Sequence, residues 1–298
     1  MTDDLLRGAV HHRELSGLSG DRVLLITVDG ETWFVRKASR GPDGGARLRE
    51  QVRRQVAFGR ARPGGVRTPE VLDEGEVDGR YYVDMDYVPG LDGATFLQSA
   101  EIDAVRRFGD TVEAAMAALA AAPLPDAAPI DLFDCLVRRI AAIHEREPVL
   151  DDDDLGRLLR LVEGVRDLPP LAPTLNHGDL TLENLIVDGS DGLWAVDLLD
   201  GPADHWWFDV AKLHQDLTGG WYQRRVGPMS RAVLAYLGDR LVDVACGLDA
   251  AYRAAHMPIL VTSFVRILPY ATDDHDRAMV VERIRHLTSV ALDQETDR

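Results

Sequence analysis

The stretch from Asn176 to Asp200, NHGDLTLENLIVDGSDGLWAVDLLD, constrains this chain more than any other. It sets four polar groups, His177, Asp179, Asn184 and Asp197, around two short apolar runs. Leu185-Ile186-Val187 and Leu193-Trp194-Ala195-Val196 are strand-like, and Gly189-Ser190-Asp191-Gly192 between them is turn chemistry. With those four residues as the loop, Asp188 pairs with Leu193 and Asn184 falls opposite Asp197. Directly opposed residues bring their Cβ atoms to about 4.5–5.5 Å. An amide and a carboxylate then converge at one end of the hairpin, as a divalent-cation site requires. Asp179, in the loop feeding that end, adds a further carboxylate.

The pattern H-G-D-x-x-x-x-N, followed by an Asp at the end of the next strand, resembles the catalytic core of the protein-kinase-like small-molecule kinases. These are the aminoglycoside phosphotransferase and choline kinase relatives. It is similar to the H-R-D-L-x-x-x-N and D-F-G set of protein kinases, with Gly178 in place of Arg and Asp197-Leu198-Leu199 in place of D-F-G. The longer run HGDLTLEN…VDLLD…FDVAKLHQD resembles most closely the phosphotransferase-family proteins of polysaccharide biosynthesis. The resemblance implies an α+β, two-lobed fold, with a small β-rich N-lobe and a large, mainly helical C-lobe. It implies that Asp179 orients an acceptor hydroxyl and takes its proton. Asn184 and Asp197 are implied to hold Mg²⁺, which takes oxygen ligands and keeps several waters. His177 and Asp209 are implied to brace the catalytic loop.

The chain's 298 residues are enough for one large or two medium domains. A net charge of -17 argues against nucleic acid as a partner. No run approaches the ~20 apolar residues of a membrane span, and no basic-then-apolar leader pattern opens the chain. Two cysteines make a disulfide scaffold unexpected. These features lead us to expect a cytoplasmic protein without a membrane partner. Residues 1–86 carry 14 basic and 15 acidic residues, against 19 and 35 in residues 87–298. A near-neutral half followed by an acidic half fits a nucleotide-binding lobe over 1–86 and a catalytic and acceptor-binding lobe over 87–298. Of 33 basic residues only Lys37 and Lys212 are lysine, which marks both as positions needing a compact ammonium.

Strand patterns run from Val10 to Val88. Arg22–Val28 and Thr32–Lys37 form a hairpin about Asp29-Gly30, Ala46–Phe58 is an amphipathic helix, Val66–Leu72 a connector and Tyr81–Met85 a strand. Helices are expected near 101–122, 131–147, 153–166, 206–218, 230–246, 257–268 and 276–292, with Asp151–Asp154 capping the third. Lys37 ends its strand as the V-A-I-K lysine does, which implies contact with the phosphates of ATP. Alternation puts Arg36 on the opposite face, and the resemblance selects Lys37. On a helical wheel Gln51 and Gln55 share the face of Leu48 and Val52, while Glu50 points away. Gln51 is therefore the expected partner of Lys37, where the family usually has Glu. Ser16-Gly17-Leu18-Ser19-Gly20 stands where a Gly-rich loop is usual, so Ser19 and Gly20 are expected to offer backbone N–H groups to phosphate. Asp86, Tyr87 and Val88 resemble the hinge that contacts adenine.

The acceptor is expected to be a small hydroxylated molecule: a sugar, amino sugar, cyclitol or sugar phosphate. Asp200, Asp204, His205 and Lys212 join Asp179 as its expected contacts, with Lys212 suited to an anionic group. An aminoglycoside-type antibiotic acceptor, or a non-catalytic nucleotide-binding regulator, are the alternatives.

Overall fold

The structure is a computed structural model that describes residues 4–6, 9–15, 20–41, 44–199 and 203–296. The N-terminal part is a five-stranded antiparallel sheet in the order β1-β2-β3-β5-β4. Its strands are β1 (His11–Leu15), β2 (Arg22–Thr27), β3 (Trp33–Ala38), β4 (Val71–Val77) and β5 (Arg80–Asp86). Asp29 makes the β2–β3 turn: its Oδ1 accepts from Glu31 N (2.9 Å) and Thr32 N (2.7 Å), and Gly30 takes a φ of +85°. Helix α1 (Gly45–Ala61) lies against one sheet face, where Leu48 and Val52 pack on Tyr81 and Val83. Leu24, Ile26 and Ala38 form a second small cluster with Leu5. The segment read as a connector over 66–72 is already joining β4 at Val71, an edge strand whose alternation is blurred by three acidic residues.

A second sheet of three strands, in the order β6-β7-β8, opens the large lobe: β6 (Gly90–Asp92), β7 (Leu185–Asp188) and β8 (Leu193–Ala195). The helices around it are α2 (Gly93–Ser99), α3 (Ile102–Ala120), α4 (Leu132–Arg146), α5 (Asp152–Glu163), α6 (Trp206–Gly219), α7 (Gln223–Val226), α8 (Arg231–Leu248), α9 (Tyr252–Val265) and α10 (Asp274–Thr296). Short α2 has no long periodic stretch to announce it. Its start is set by Asp92, which accepts from Thr95 N at 2.9 Å. Asp151 caps α5 the same way through Asp154 N (2.9 Å). The main core fills this lobe, with Trp207, Tyr222, Tyr252 and Phe264 among its fully buried side chains. No helix among the described residues is long and apolar enough to cross a membrane.

The hairpin register differs from the expected one. Leu185 pairs with Ala195, Ile186 with Trp194 and Val187 with Leu193, so Asn184 faces Val196 and not Asp197. Asp188 causes the slip. Its side chain folds into the turn, accepting from Ser190 N, Gly192 N and the Trp194 indole, each at 2.9 Å. Five residues, Asp188–Gly192, thus separate the paired Val187 and Leu193, while Asp188 still ends β7 opposite Gly90 of β6.

The small lobe is also joined to the large one at a second place. Phe58 and Val66 belong to the large core, and Arg67 N donates to Leu193 O at 3.0 Å. Between them Gly64 has a φ of +58°, and a Cβ there would collide with the backbone of Ala115 in α3.

Candidate active site

The loop from His177 to Asn184 is built from the inside out. Asp209 on α6 is buried and accepts from His177 N (2.6 Å) and Gly178 N (2.9 Å). Burial pushes its carboxyl up, to about 7, against these two N–H groups. One face further along α6, Asp216 accepts from Leu182 N at 2.8 Å. Seven residues apart, the two carboxylates share a helix face and clamp the loop at both ends. His177 is fully buried, and burial holds its imidazole down to about 4, so it is neutral. Its Nδ1 accepts from Asp179 N (3.3 Å), which assigns the ring proton to Nε2, 2.9 Å from Val196 O. Gly178, at φ +85°, makes the turn that brings Asp179 out of this buried frame.

Asn184 Nδ2 donates to Asp179 O (2.9 Å). Its Oδ1 has no hydrogen bond among the described residues. Asp197 leaves β8 and takes a φ of +57°. That left-handed turn, not strand pairing, brings its carboxylate into the cavity that Asn184 and Asp179 also line. Across from it, Lys37 in β3 is 4% exposed. Its Nζ lies 2.8 Å from Asp197 Oδ1 and 3.2 Å from Gln51 Oε1. Gln51 Nε2 is buried and has no partner among the described residues. Glu50 pairs instead with Arg53 (3.2 Å) and Arg54 (3.7 Å). Arg36 sits on the other sheet face in a two-point pair with Asp84, both contacts 2.7 Å.

Two cavities meet at Lys37 and Asp197. One, of about 470 Å³, runs between the sheet and the second hairpin. Val23, Val35, Val83 and Ile186 give it apolar walls, and Asp86, Tyr87 and Val88 line one side of it. The other, of about 280 Å³, holds Asp179, Asn184, Lys212, Trp221, Arg266 and Tyr270. Burial would raise the Asp179 carboxyl, but Lys212 and Arg266 hold it below the usual carboxylate range. Lys212 Nζ lies 3.3 Å, and Arg266 Nη2 3.7 Å, from Asp179 Oδ1. Burial in turn lowers Lys212.

Some expected contacts lie elsewhere. Asp204 is paired with Arg54 of α1 (2.9 Å) and does not line the cavity that holds Asp179. His205 is buried as the N-cap of α6, accepting from Trp207 N at 3.3 Å. Both are drawn off by α6: one residue caps it and the other anchors its start to the small lobe. Gly20, at φ +77°, precedes β2 and lines neither cavity. Ser19 and Asp200 lie outside the described residues. Asp216 and Arg266 went unassigned in the sequence. Asp216 was findable from its i,i+7 spacing to Asp209, whereas nothing local marks Arg266.

Comparison with known proteins bears on the fold and the family. Among solved structures, the GDP and kanamycin complex of APH(2")-IIia superposes with a TM-score of 0.70 at 15% identity, covering 96% of this chain and 97% of that one. The streptomycin-ATP-APH(2")-IIa ternary complex gives 0.58 at 15% identity, covering 95% and 94%. The choline kinase LicA from Streptococcus pneumoniae gives 0.61 at 13% identity, covering 96% of each chain. At such identities the likeness is one of fold. No curated protein is a significant sequence match. The family model described as phosphotransferase enzyme family matches residues 12–245, which leaves Arg266 and Tyr270 beyond the match. The chain belongs to the phosphotransferase enzyme family.

Proposed function

We propose that this phosphotransferase moves the γ-phosphate of ATP, with Mg²⁺, to a hydroxyl of a small metabolite such as a sugar, amino sugar, cyclitol or sugar phosphate. The carrying observation is the junction of the two cavities, where Lys37 and Asp197 stand on one side and Asp179 on the other. Phosphoryl transfer depends on positioning and charge neutralisation more than on covalent chemistry. The orphaned Gln51 Nε2 and the apolar walls fit a nucleotide in the larger cavity. The unengaged Asn184 Oδ1 and the Asp197 carboxylate fit a metal that takes few protein ligands. When bound, the metal would neutralise the phosphates. Lys37 would pair with phosphate oxygens, and Asp86–Val88 would meet the base. Asp179, kept ionised by Lys212 and Arg266, would align the acceptor hydroxyl and take its proton as the O–P bond forms. We place nucleotide binding mainly in residues 1–86 and acceptor binding in 87–298, in a reducing, cytoplasmic setting that suits the free Cys135 and Cys246.

The test is ADP release from MgATP over a panel of sugars, cyclitols, sugar phosphates and aminoglycosides. Asp179→Asn should lower kcat by about 10²–10⁴-fold and leave nucleotide affinity intact. Wild-type turnover in that variant would remove Asp179 from its role.

A further inference from the structure

Next to the acceptor-side cavity lies an opening of about 500 Å³, lined by Arg138, Arg139 and Arg146 of α4 and by Arg266 and Tyr270. Arg266 and Tyr270 line both spaces, so the opening continues the cavity that holds Asp179. Four guanidinium groups converge here in a chain whose net charge is -17. The local sign is thus the reverse of the molecule's. Arg138 is exposed and paired with Asp134 at 2.8 Å. Arg139 is different. It is half-buried, with its guanidinium 5.9 Å from the Phe208 ring centroid, and it makes no ion pair among the described residues. Burial, then the charge of Arg266, push it down to about 10, so it stays protonated at neutral pH. Among the described residues Arg266 pairs only with Asp179, at 3.7 Å, beyond hydrogen-bond length.

Two neighbouring cations withdrawn from water, with a carboxylate beside only one of them, are costly to hold without an opposite charge between them. Guanidinium forks match oxyanions in two-point geometry. We propose that the acceptor carries an oxyanion group, a phosphate monoester or a carboxylate, held by Arg139 and Arg266 while its hydroxyl lies at Asp179. This rests on the kinase reading above and narrows it. Arg266 stands within 3.7 Å of Asp179, so the anion and the reacting hydroxyl belong to one small molecule. Polycationic acceptors meet repulsion at the same place, which turns the site away from aminoglycosides. Arg266 also lies outside the family match, where acceptor choice can vary without touching the shared catalytic residues.

The experiment is calorimetric titration of the full chain saturated with Mg²⁺ and a non-hydrolysable ATP analogue. Inorganic phosphate, malonate, glucose 6-phosphate, glucose and kanamycin are titrated separately. Phosphate or malonate should bind, more weakly as salt rises, and whichever binds tells a phosphate site from a carboxylate site. Arg139→Gln and Arg266→Gln should each weaken that binding about tenfold or more. Should Arg139→Gln not fold, Arg139→Lys keeps the charge but loses the fork, and should weaken binding less than Arg266→Gln. Anion binding equal in variants and wild type, no anion binding at all, or preferential kanamycin binding would overturn the inference. Failure of the nucleotide analogue to bind would instead overturn the kinase reading beneath it.

Discussion

Lys37 is where single-residue chemistry decides most. A buried ammonium without partners is costly, and here its partners are one carboxylate and one amide oxygen. Among the described residues Asp197 therefore carries the whole opposite charge paired with Lys37, which would compete with a metal for it. Replacing the amide by a carboxylate changes that balance. Gln51→Glu should give Lys37 a second charged partner, free Asp197 and tighten MgATP binding by about fivefold, since charge-assisted hydrogen bonds are about twice as strong as neutral ones. Equilibrium titration of MgATP reads this, and loss of nucleotide binding in a folded Gln51→Glu protein would contradict it. Gln51 was legible in the sequence because helix phase is a local property. Arg139 and Arg266 were not, because their meaning comes from elements 127 positions apart that meet only in the folded chain.

Among the elements, α6 does most to hold the site. It supplies both carboxylates that clamp the His177–Asn184 loop and, at Lys212, a cation beside Asp179. Its start depends on a histidine. The His205 ring must be neutral at Nδ1 to accept from Trp207 N, and burial holds it down to about 4 from an ordinary 6.5. The depressed value means that the unfolded chain binds this proton first as pH falls. Its stability contribution is complete above about 6.5 and is lost as pH drops toward 4, by roughly 2–3 kcal/mol. His205→Asn keeps a capping acceptor but removes the titration. Its melting temperature should fall less steeply than wild type between pH 6.5 and 4.5, and parallel curves would remove His205 as a contributor. The sequence placed α6 within a residue at each end, yet read His205 as an acceptor contact. A cap and a ligand contact ask for the same residue types at a helix start. The hairpin misreading had a similar origin: whether Asp188 ends a strand or opens a turn depends on side-chain hydrogen bonds that alternation cannot show.

Across the whole molecule, the order of lobes was readable because strand and helix periodicities separate cleanly near Val88. The second junction was not. Phe58, Gly64 and Val66 lie in the N-terminal part of the sequence yet pack on α3 and the main core, and Arg54 of α1 is tied to Asp204. The small lobe is thus tied to the large one by these contacts as well as through the chain near Val88. In the proposed function this cleft binds nucleotide through a metal held at Asp197 and Asn184. The most direct measurement is calorimetric titration of ATP with and without Mg²⁺ into the wild-type chain and into Asp197→Ala. Our account expects Mg²⁺ to strengthen ATP binding in the wild type by about tenfold or more, and Asp197→Ala to lose most of that gain. ATP binding that is indifferent to Mg²⁺, or a Mg²⁺ effect that survives in Asp197→Ala, would contradict it.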